Sequence, residues 1–220
     1  MSSFIQTRDR KGAIPMHGGN QVGITTRPPN VIGWHSFRPM QSRAIVLLET
    51  VTIGRISPRV STRQKKSRID VLQLTRRVRS MYASLHDDED IEFEIDDTTK
   101  VVAETTESAL LQCIINLVDN ATYWLMTSPR KPRLIRTFAL DPATILIADN
   151  GPGVREEDAP YIFEPFYSGK GDEGKGLGLY IARQNGLRSG FHVDVAKSPP
   201  DGRALEGASF VVTFNSEVKS

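Results

Sequence analysis

Two asparagines in the segment NLVDN (116–120) stand four residues apart and could serve a metal or phosphate site. On a helix, this spacing puts the amides of Asn116 and Asn120 on one face. Amide oxygens are hard ligands that suit Mg²⁺, which usually keeps several waters and shares its site with substrate phosphates. The alternative is that both amides line the exposed face of an ordinary helix.

The second segment is IADNGPGV (147–154), in which one carboxylate and two glycines follow a run of apolar residues. Gly151 and Gly153 allow tight turns and a close approach of the backbone to a ligand. Asp149 could accept a hydrogen bond from an exocyclic amine, which adenine offers where guanine presents a carbonyl. The alternative is a simple turn, because Asp-Asn-Gly-Pro is strong turn chemistry.

The third segment, IFEPFYSGK (162–170), has two aromatic residues around a rigid proline and ends on a lysine. Phe163 and Phe166 could anchor a mobile loop, while Lys170 could meet a phosphate as a compact positive charge. The alternative is that both phenylalanines are core residues, which is the more common fate of this residue type.

The fourth segment, GKGLGLY (174–180), places glycines directly before a predicted helix. Backbone N–H groups at the start of a helix favour an anion. The segment matches neither of two common phosphate-binding patterns. No Ser or Thr follows Lys175, as a P-loop requires, and the glycines are not spaced as in the dinucleotide fingerprint.

The elements that must position these segments follow from hydrophobic periodicity. A helix is predicted over 69–85, a second from Thr105 or Thr106 to about Met126, and a third over 177–187. The predicted strands are 91–95 with 101–104 as its candidate partner, 133–140 paired with 144–149, and the closing strands 191–196 and 208–214. Helices on one face of a mixed sheet are the natural assembly of this order, an α+β fold described as a two-layer α/β sandwich.

Composition sets the remaining bounds. The 220 residues contain one cysteine, Cys113, which excludes an internal disulfide framework and a cysteine-rich zinc module. No apolar run approaches the length of a membrane-spanning helix, and the N-terminus lacks the apolar core of a signal peptide. These features predict a cytoplasmic protein.

The charge is divided unevenly along the chain. Residues 1–80 hold 15 Lys and Arg against 3 Asp and Glu, and residues 81–220 hold 13 against 23. Residues 1–67 are therefore predicted to be a basic, poorly structured region or a degenerate dimerisation remnant, in which 43–56 could be a helix or a strand. A basic arm could contact nucleic acid or an acidic partner, or it could be a solvated linker.

Taken together and in this order, NLVDN, DNGPGV, IFEPFYSGK and GKGLGLYIAR closely resemble the catalytic ATP-binding domain of sensor histidine kinases. That domain belongs to a superfamily shared with gyrase, the heat-shock chaperone and mismatch-repair ATPases. The resemblance covers about residues 68–216. It implies ATP and magnesium held between sheet-packed helices and a flexible lid.

The resemblance also implies a role for each matching residue. Asn116 and Asn120 would lie at the magnesium and the phosphates, with Asn120 as the direct metal ligand, and Asp149 would hold the adenine amine. Asn116 and Lys170 are the implied catalytic residues. The other implied binding positions are Gly151 and Gly153 at adenine, Phe163 and Phe166 as lid anchors, and Gly174, Lys175, Gly176, Leu177 and Gly178 at the phosphates. Closure of residues 167–175 would exclude water from the triphosphate.

Two positions, Asn116 and Lys175, bear on activity. ATP-hydrolysing members of the superfamily carry Glu at the position of Asn116, and an amide does not accept a proton near neutral pH. This difference favours phosphoryl transfer over hydrolysis. Lys175 stands where the family usually has Thr or Ser, so it either contacts a phosphate or faces solvent.

A phosphoacceptor histidine is not recognisable. His86 and His192 lie inside the predicted domain, and of the remaining two, His17 and His35, only His35 is a candidate. Ser36 follows it instead of an acidic residue, and Pro39 interrupts any helix there. The predicted function is therefore transfer of the γ-phosphoryl group of Mg-ATP to a histidine on a hairpin elsewhere, with a response regulator as partner. A homodimer is one candidate assembly, and the sequence does not decide the oligomeric state. The alternatives are an ATP-dependent conformational switch that transfers nothing, and a module whose basic arm binds nucleic acid or a protein.

Overall fold

The structure is a computed structural model that describes residues 65–170, 174–196, 203 and 205–215. The predictions on the basic region 1–64, including those on His17, His35 and residues 43–56, lie outside the described residues.

Within these residues the strands form two sheets. β1 (Ser67–Asp70) and β3 (Val102–Thr105) make a small antiparallel pair. The larger sheet has five strands in the order β2-β4-β5-β7-β6. Their bounds are β2 Ile91–Asp96, β4 Arg133–Asp141, β5 Thr144–Asp149, β6 Phe191–Val195 and β7 Ser209–Phe214.

The large sheet is mixed, because β2 runs parallel to β4 while the other three pairs of neighbouring strands are antiparallel. The predicted pairing of 133–140 with 144–149 is confirmed. The prediction that 101–104 pairs with 91–95 was wrong, since β3 pairs with β1 and β2 pairs with β4. Alternation of apolar residues identified both segments as strands, but it carries no information on which edge each strand joins.

Three helices cover one face of the large sheet in the described part of the chain. They are α1 (Val71–Asp88), α2 (Glu107–Thr127) and α3 (Gly178–Ser189). The Asp70 side chain starts α1 by accepting a hydrogen bond from the N–H of Gln73 at 3.1 Å. All three predicted helices are confirmed, although residues predicted to start α1 belong to β1.

The main core lies between the helices and the sheet, and the predicted α+β class is confirmed. The central strand β5 is buried on both faces. Ile145 and Ile147 face the helices, whereas Leu146 and Ala148 pack with Phe138 on the opposite side. This double burial makes β5 a rigid support for Asp149 at its end.

Candidate functional site

Asp149 is a buried carboxylate at the end of β5, only 2% exposed. Its Oδ1 accepts hydrogen bonds from the N–H groups of Gly151 at 2.8 Å and Ala208 at 3.3 Å. Burial nevertheless raises the pKa of this carboxyl to about 6, because desolvation outweighs these two bonds. The chain thus holds a costly charged group in a fixed orientation, which is typical of a functional position.

Gly207 completes the surroundings of Asp149, and sequence reasoning assigned it no role. A side chain at this glycine would begin 2.4 Å from the Asp149 carbonyl oxygen and 2.5 Å from its Oδ1. The Gly207 N–H also donates to that carbonyl oxygen at 3.0 Å. Only glycine permits this approach, so the segment before β7 shapes the carboxylate site. Its position in GASF was the available signal.

Asn116 connects α2 to the start of α3. Its Nδ2 donates to the carbonyl oxygen of Gly178 at 2.9 Å, and its Oδ1 accepts from Gln112 at 3.1 Å. Asn120 lies one turn further along α2 and is half-buried. The structure therefore brings the first motif against the last one, although about 60 residues separate them in the chain.

Trp124 links the two glycine-containing loops, and sequence reasoning missed it. A side chain at Gly151 would begin 3.6 Å from the Trp124 Cβ, and one at Gly169 would begin 3.3 Å from the far edge of the indole. Trp124 therefore extends from the Asp149 turn to the loop that ends the third motif. Its place on α2, four residues after Asn120, was the signal that could have found it.

The two phenylalanines of the third motif differ in environment. Phe163 is buried, makes an edge-to-face contact with Phe210, and lies under the Arg183 guanidinium at 4.3 Å. Phe166 is 77% exposed and adopts a positive φ of 67°. Its N–H donates to the carbonyl oxygen of Gly176 at 2.9 Å, so Phe166 is attached to the fourth motif through its backbone.

Gly176 has a positive φ of 64°, and a side chain there would begin 2.4 Å from the Phe166 carbonyl carbon. Both the conformation and the close approach require glycine. The third and fourth motifs are thereby joined at this point. Leu177 occupies the N-cap position of α3 without a side-chain capping hydrogen bond, while Lys175 and Gly178 are exposed.

Lys170 lies over a ring of α2. Its Nζ is 4.3 Å from the centroid of the Tyr123 ring, and burial lowers the pKa of the ammonium. Asp119 on the same helix opposes this shift through its negative charge. The cation thus lies over Tyr123 of α2, which follows Asn120 by three residues and directly precedes Trp124.

These contacts connect Asp149 to Lys170 by way of Gly151, Trp124 and Gly169. A separate hydrogen bond connects Asn116 to α3. They place a buried hydrogen-bond acceptor at one end and a cation with a helix N-terminus at the other. A ligand with a base and a polyphosphate matches that polarity. The fold and the site define a nucleotide-binding domain of the two-layer α/β class.

The family follows from comparison. Residues 105–218 match the family described as histidine kinase-, DNA gyrase B-, and HSP90-like ATPase, which is more than half of the chain. The chain belongs to this family, and the resemblance seen in the four motifs is confirmed. It carries the ATP-binding catalytic domain that histidine kinases of two-component signalling contain.

Several relatives are sensor kinases. The swarming motility regulation sensor protein RssA of Serratia marcescens is 35% identical over 127 residues, which are 57% of this chain and 26% of RssA. The signal transduction histidine-protein kinase/phosphatase MprB of Mycobacterium ulcerans is 36% identical over 102 residues, which are 44% of this chain and 19% of MprB. The chain therefore spans about a quarter or less of the length of these relatives.

Solved structures agree with the fold. A mycobacterial sensor histidine kinase MprB structure matches with a TM-score of 0.53 and 26% identity, over 68% of this chain and 96% of that one. The catalytic domain of histidine kinase ThkA matches with a TM-score of 0.56 and 22% identity, over 68% of this chain and 95% of that one, and supports the fold alone. Among the described helices, none has the length and apolar character needed to cross a membrane.

Proposed function

We propose that this domain binds Mg-ATP and transfers the γ-phosphoryl group to a histidine of a two-component signalling system. The observation that carries the proposal is the set of contacts made by α2. Trp124 lies beside the turn that follows the buried Asp149, Lys170 lies over Tyr123, and Asn116 is hydrogen-bonded to the start of α3. Among the described residues, His86 is buried in the core and His192 lies on strand β6 within the ATP-binding domain, so the proposal places the acceptor histidine on a separate hairpin domain.

Asp149 is the proposed adenine contact. The two backbone bonds to Asp149 both use Oδ1, so the second oxygen is the one offered to an exocyclic amine. A hydrogen bond to a charged acceptor contributes about 1.5–3 kcal/mol. Gly151 and Gly153 line the turn beside it, and Trp124 offers an aromatic surface to the base.

The phosphates are proposed to lie toward Lys170 and the start of α3. Gly174 and Gly176 precede α3 and Gly178 is its first residue, so their N–H groups lie at the helix start, where the helix dipole favours negative charge. The described residues contain no group of three or more His, Cys, Asp or Glu side chains that could hold a metal. By resemblance to the family, a magnesium ion would be held by the amide oxygen of Asn120, together with phosphate oxygens and water.

Asn116 supports transfer instead of hydrolysis. Its amide is bonded to Gln112 and Gly178, and it has no basic group that could take a proton from water. The domain's task is then positioning and charge stabilisation of the transferred phosphoryl group. ATP is a cytoplasmic metabolite, so the proposal places the domain in the cytoplasm. Its proposed partners are a response regulator and a second copy of the chain.

Binding is tested by calorimetric titration of the full chain with a non-hydrolysable ATP analogue, with and without Mg²⁺. We expect magnesium-dependent binding that Asp149→Asn abolishes, because the amide would present a donor to the adenine amine. The matched control is Asp88→Asn, which changes an exposed carboxylate at the end of α1. Unchanged binding in Asp149→Asn would contradict the proposal.

Transfer is tested with γ-labelled ATP and an isolated phosphoacceptor hairpin domain of a histidine kinase. We expect label on the hairpin that acid removes and alkali does not, as for phosphohistidine. Nucleotide binding with no transfer to any hairpin, accompanied by a nucleotide-dependent change in shape, would instead support a conformational switch.

A further inference from the structure

Lys170 is held by groups on α2 and on its own loop. Its Nζ lies 4.3 Å from the centre of the Tyr123 ring. The backbone N–H of Lys170 donates to the Ser168 hydroxyl at 3.1 Å, and a side chain at Gly174 would begin 2.8 Å from the Lys170 Cβ. Ser168 and Gly174 therefore both lie close to Lys170, and the ring of Tyr123 contacts its ammonium.

The charges around Lys170 favour this seat. Asp119, one turn before Tyr123 on α2, attracts the ammonium, and it also accepts a hydrogen bond from Tyr82 of α1. Burial of Lys170 acts in the opposite direction and lowers the pKa of the ammonium. A ring face beside a desolvated ammonium is attractive, since the negative face of the aromatic quadrupole partly replaces lost water.

We propose that Tyr123 is a positioning residue for Lys170, whose ammonium it holds at the phosphate end of the site before nucleotide arrives. The inference rests on the proposed function, because it assigns Lys170 to a polyphosphate. The selection of a triphosphate over an uncharged nucleoside would then depend partly on an aromatic side chain that acts through the lysine.

The consequence is a specific loss of discrimination. Without the ring, the ammonium gains rotamer freedom and must be ordered by the ligand, which weakens binding of charged nucleotides. A cation–π contact of this kind corresponds to about a 2- to 30-fold change in affinity. Adenosine has no phosphate, so its affinity should stay unchanged.

The first test needs no nucleotide. The full chain is labelled with ¹³C-lysine, and the Lys170 signal is assigned by its loss in Lys170→Met. We expect the ε-methylene protons of Lys170 to be shifted upfield by the ring current, to stay shifted in Tyr123→Phe, and to lose the shift in Tyr123→Leu. An unshifted signal in the wild-type chain would overturn the proposal.

The second test measures the affinities of the wild-type chain, Tyr123→Phe and Tyr123→Leu for ATP and adenosine. We expect Tyr123→Leu to lower the ratio of ATP to adenosine affinity by about 2- to 30-fold, and Tyr123→Phe to restore it. Equal loss for both ligands would show that Tyr123 only shapes the base pocket, and it would overturn the proposal. If the wild-type chain binds neither ligand while the ring-current pattern is as expected, the proposed function fails, but the position of the Lys170 ammonium over the Tyr123 ring is supported.

Discussion

The side chain of Asn116 donates from Nδ2 to the carbonyl oxygen of Gly178 at 2.9 Å, which ties α2 to the first residue of α3. The bond fixes the end of the glycine run against the helix that carries both asparagines. The same side chain is therefore a structural connector as well as a candidate phosphate-site residue.

Replacing Asn116 with Ala should lower the free energy of unfolding by about 1 kcal/mol, because one interelement hydrogen bond is lost. Urea unfolding of the full chain measures this change. Gln112→Ala is the matched control, since it removes only the donor to the Asn116 Oδ1 and leaves the bond to Gly178. An equal loss in the control would show that the bond to Gly178 is not the stabilising one.

Asp149→Asn should stabilise the fold while it removes nucleotide binding. The carboxyl has a folded pKa of about 6 against an ordinary 3.8, so the unfolded chain ionises first. Stability from this group is present below pH 3.8 and is lost as the pH rises through 6, a loss of about 3 kcal/mol at pH 7.

The check is urea unfolding of the wild-type chain and Asp149→Asn at pH 4 and pH 7. The advantage of the variant should be larger at pH 7 than at pH 4. Asp88→Asn controls for removal of an exposed carboxylate. An advantage that does not change with pH would argue against burial as the cause.

His86 should make the fold less stable in mild acid. The ring is only 3% exposed between Tyr82 and Phe93, its Nε2 contacts the Thr122 hydroxyl at 2.9 Å, and burial lowers its pKa to about 4 from 6.5. Folding therefore favours the neutral ring. This contribution is complete above pH 6.5 and declines as the pH falls toward 4, by about 2 kcal/mol at pH 5.

His86→Gln should flatten this part of the pH profile, because glutamine retains a polar contact to Thr122 without titrating. The effect of Asp149 has the opposite sign in the same range, so the two variants are compared separately with the wild-type chain by urea unfolding. His192→Gln, on the exposed side of β6, is the control. A wild-type slope in His86→Gln would assign the acid sensitivity to another group.

Gly176→Ala should disrupt the junction of the third and fourth motifs. A methyl group would meet the Phe166 carbonyl carbon at 2.4 Å, and the positive φ adds strain of about 1–2 kcal/mol for any other L-residue. We expect faster proteolysis within residues 166–176 and at least a tenfold loss of ATP affinity.

Gly178→Ala is the matched control, since no atom lies within 4 Å of a side chain at that position. It should be cleaved at the wild-type rate. Equal protease sensitivity of both variants would show that the contact with Phe166 does not determine the loop conformation.

Much of the fold was predictable from local patterns. The apolar periodicity of residues 107–127 and the pairing of β4 with β5 across a short turn depend on neighbours in the chain, and both are as expected. The partner of β3 was not predictable in this way. Its alternation shows that one face is buried, but the choice between β1 and β2 depends on how the whole sheet closes.

The sequence by itself determined the family, the helices and strands, and the residue types that can hold a base, a cation and a polyphosphate, because these depend on motif order and local periodicity. Only the tertiary structure decided which of those residues meet. Gly207 approaches Asp149 from the segment before β7, Trp124 reaches both glycine loops, and Lys170 lies over the Tyr123 ring. Each contact joins segments far apart in the chain, so its geometry is set by tertiary packing, which local residue patterns do not encode.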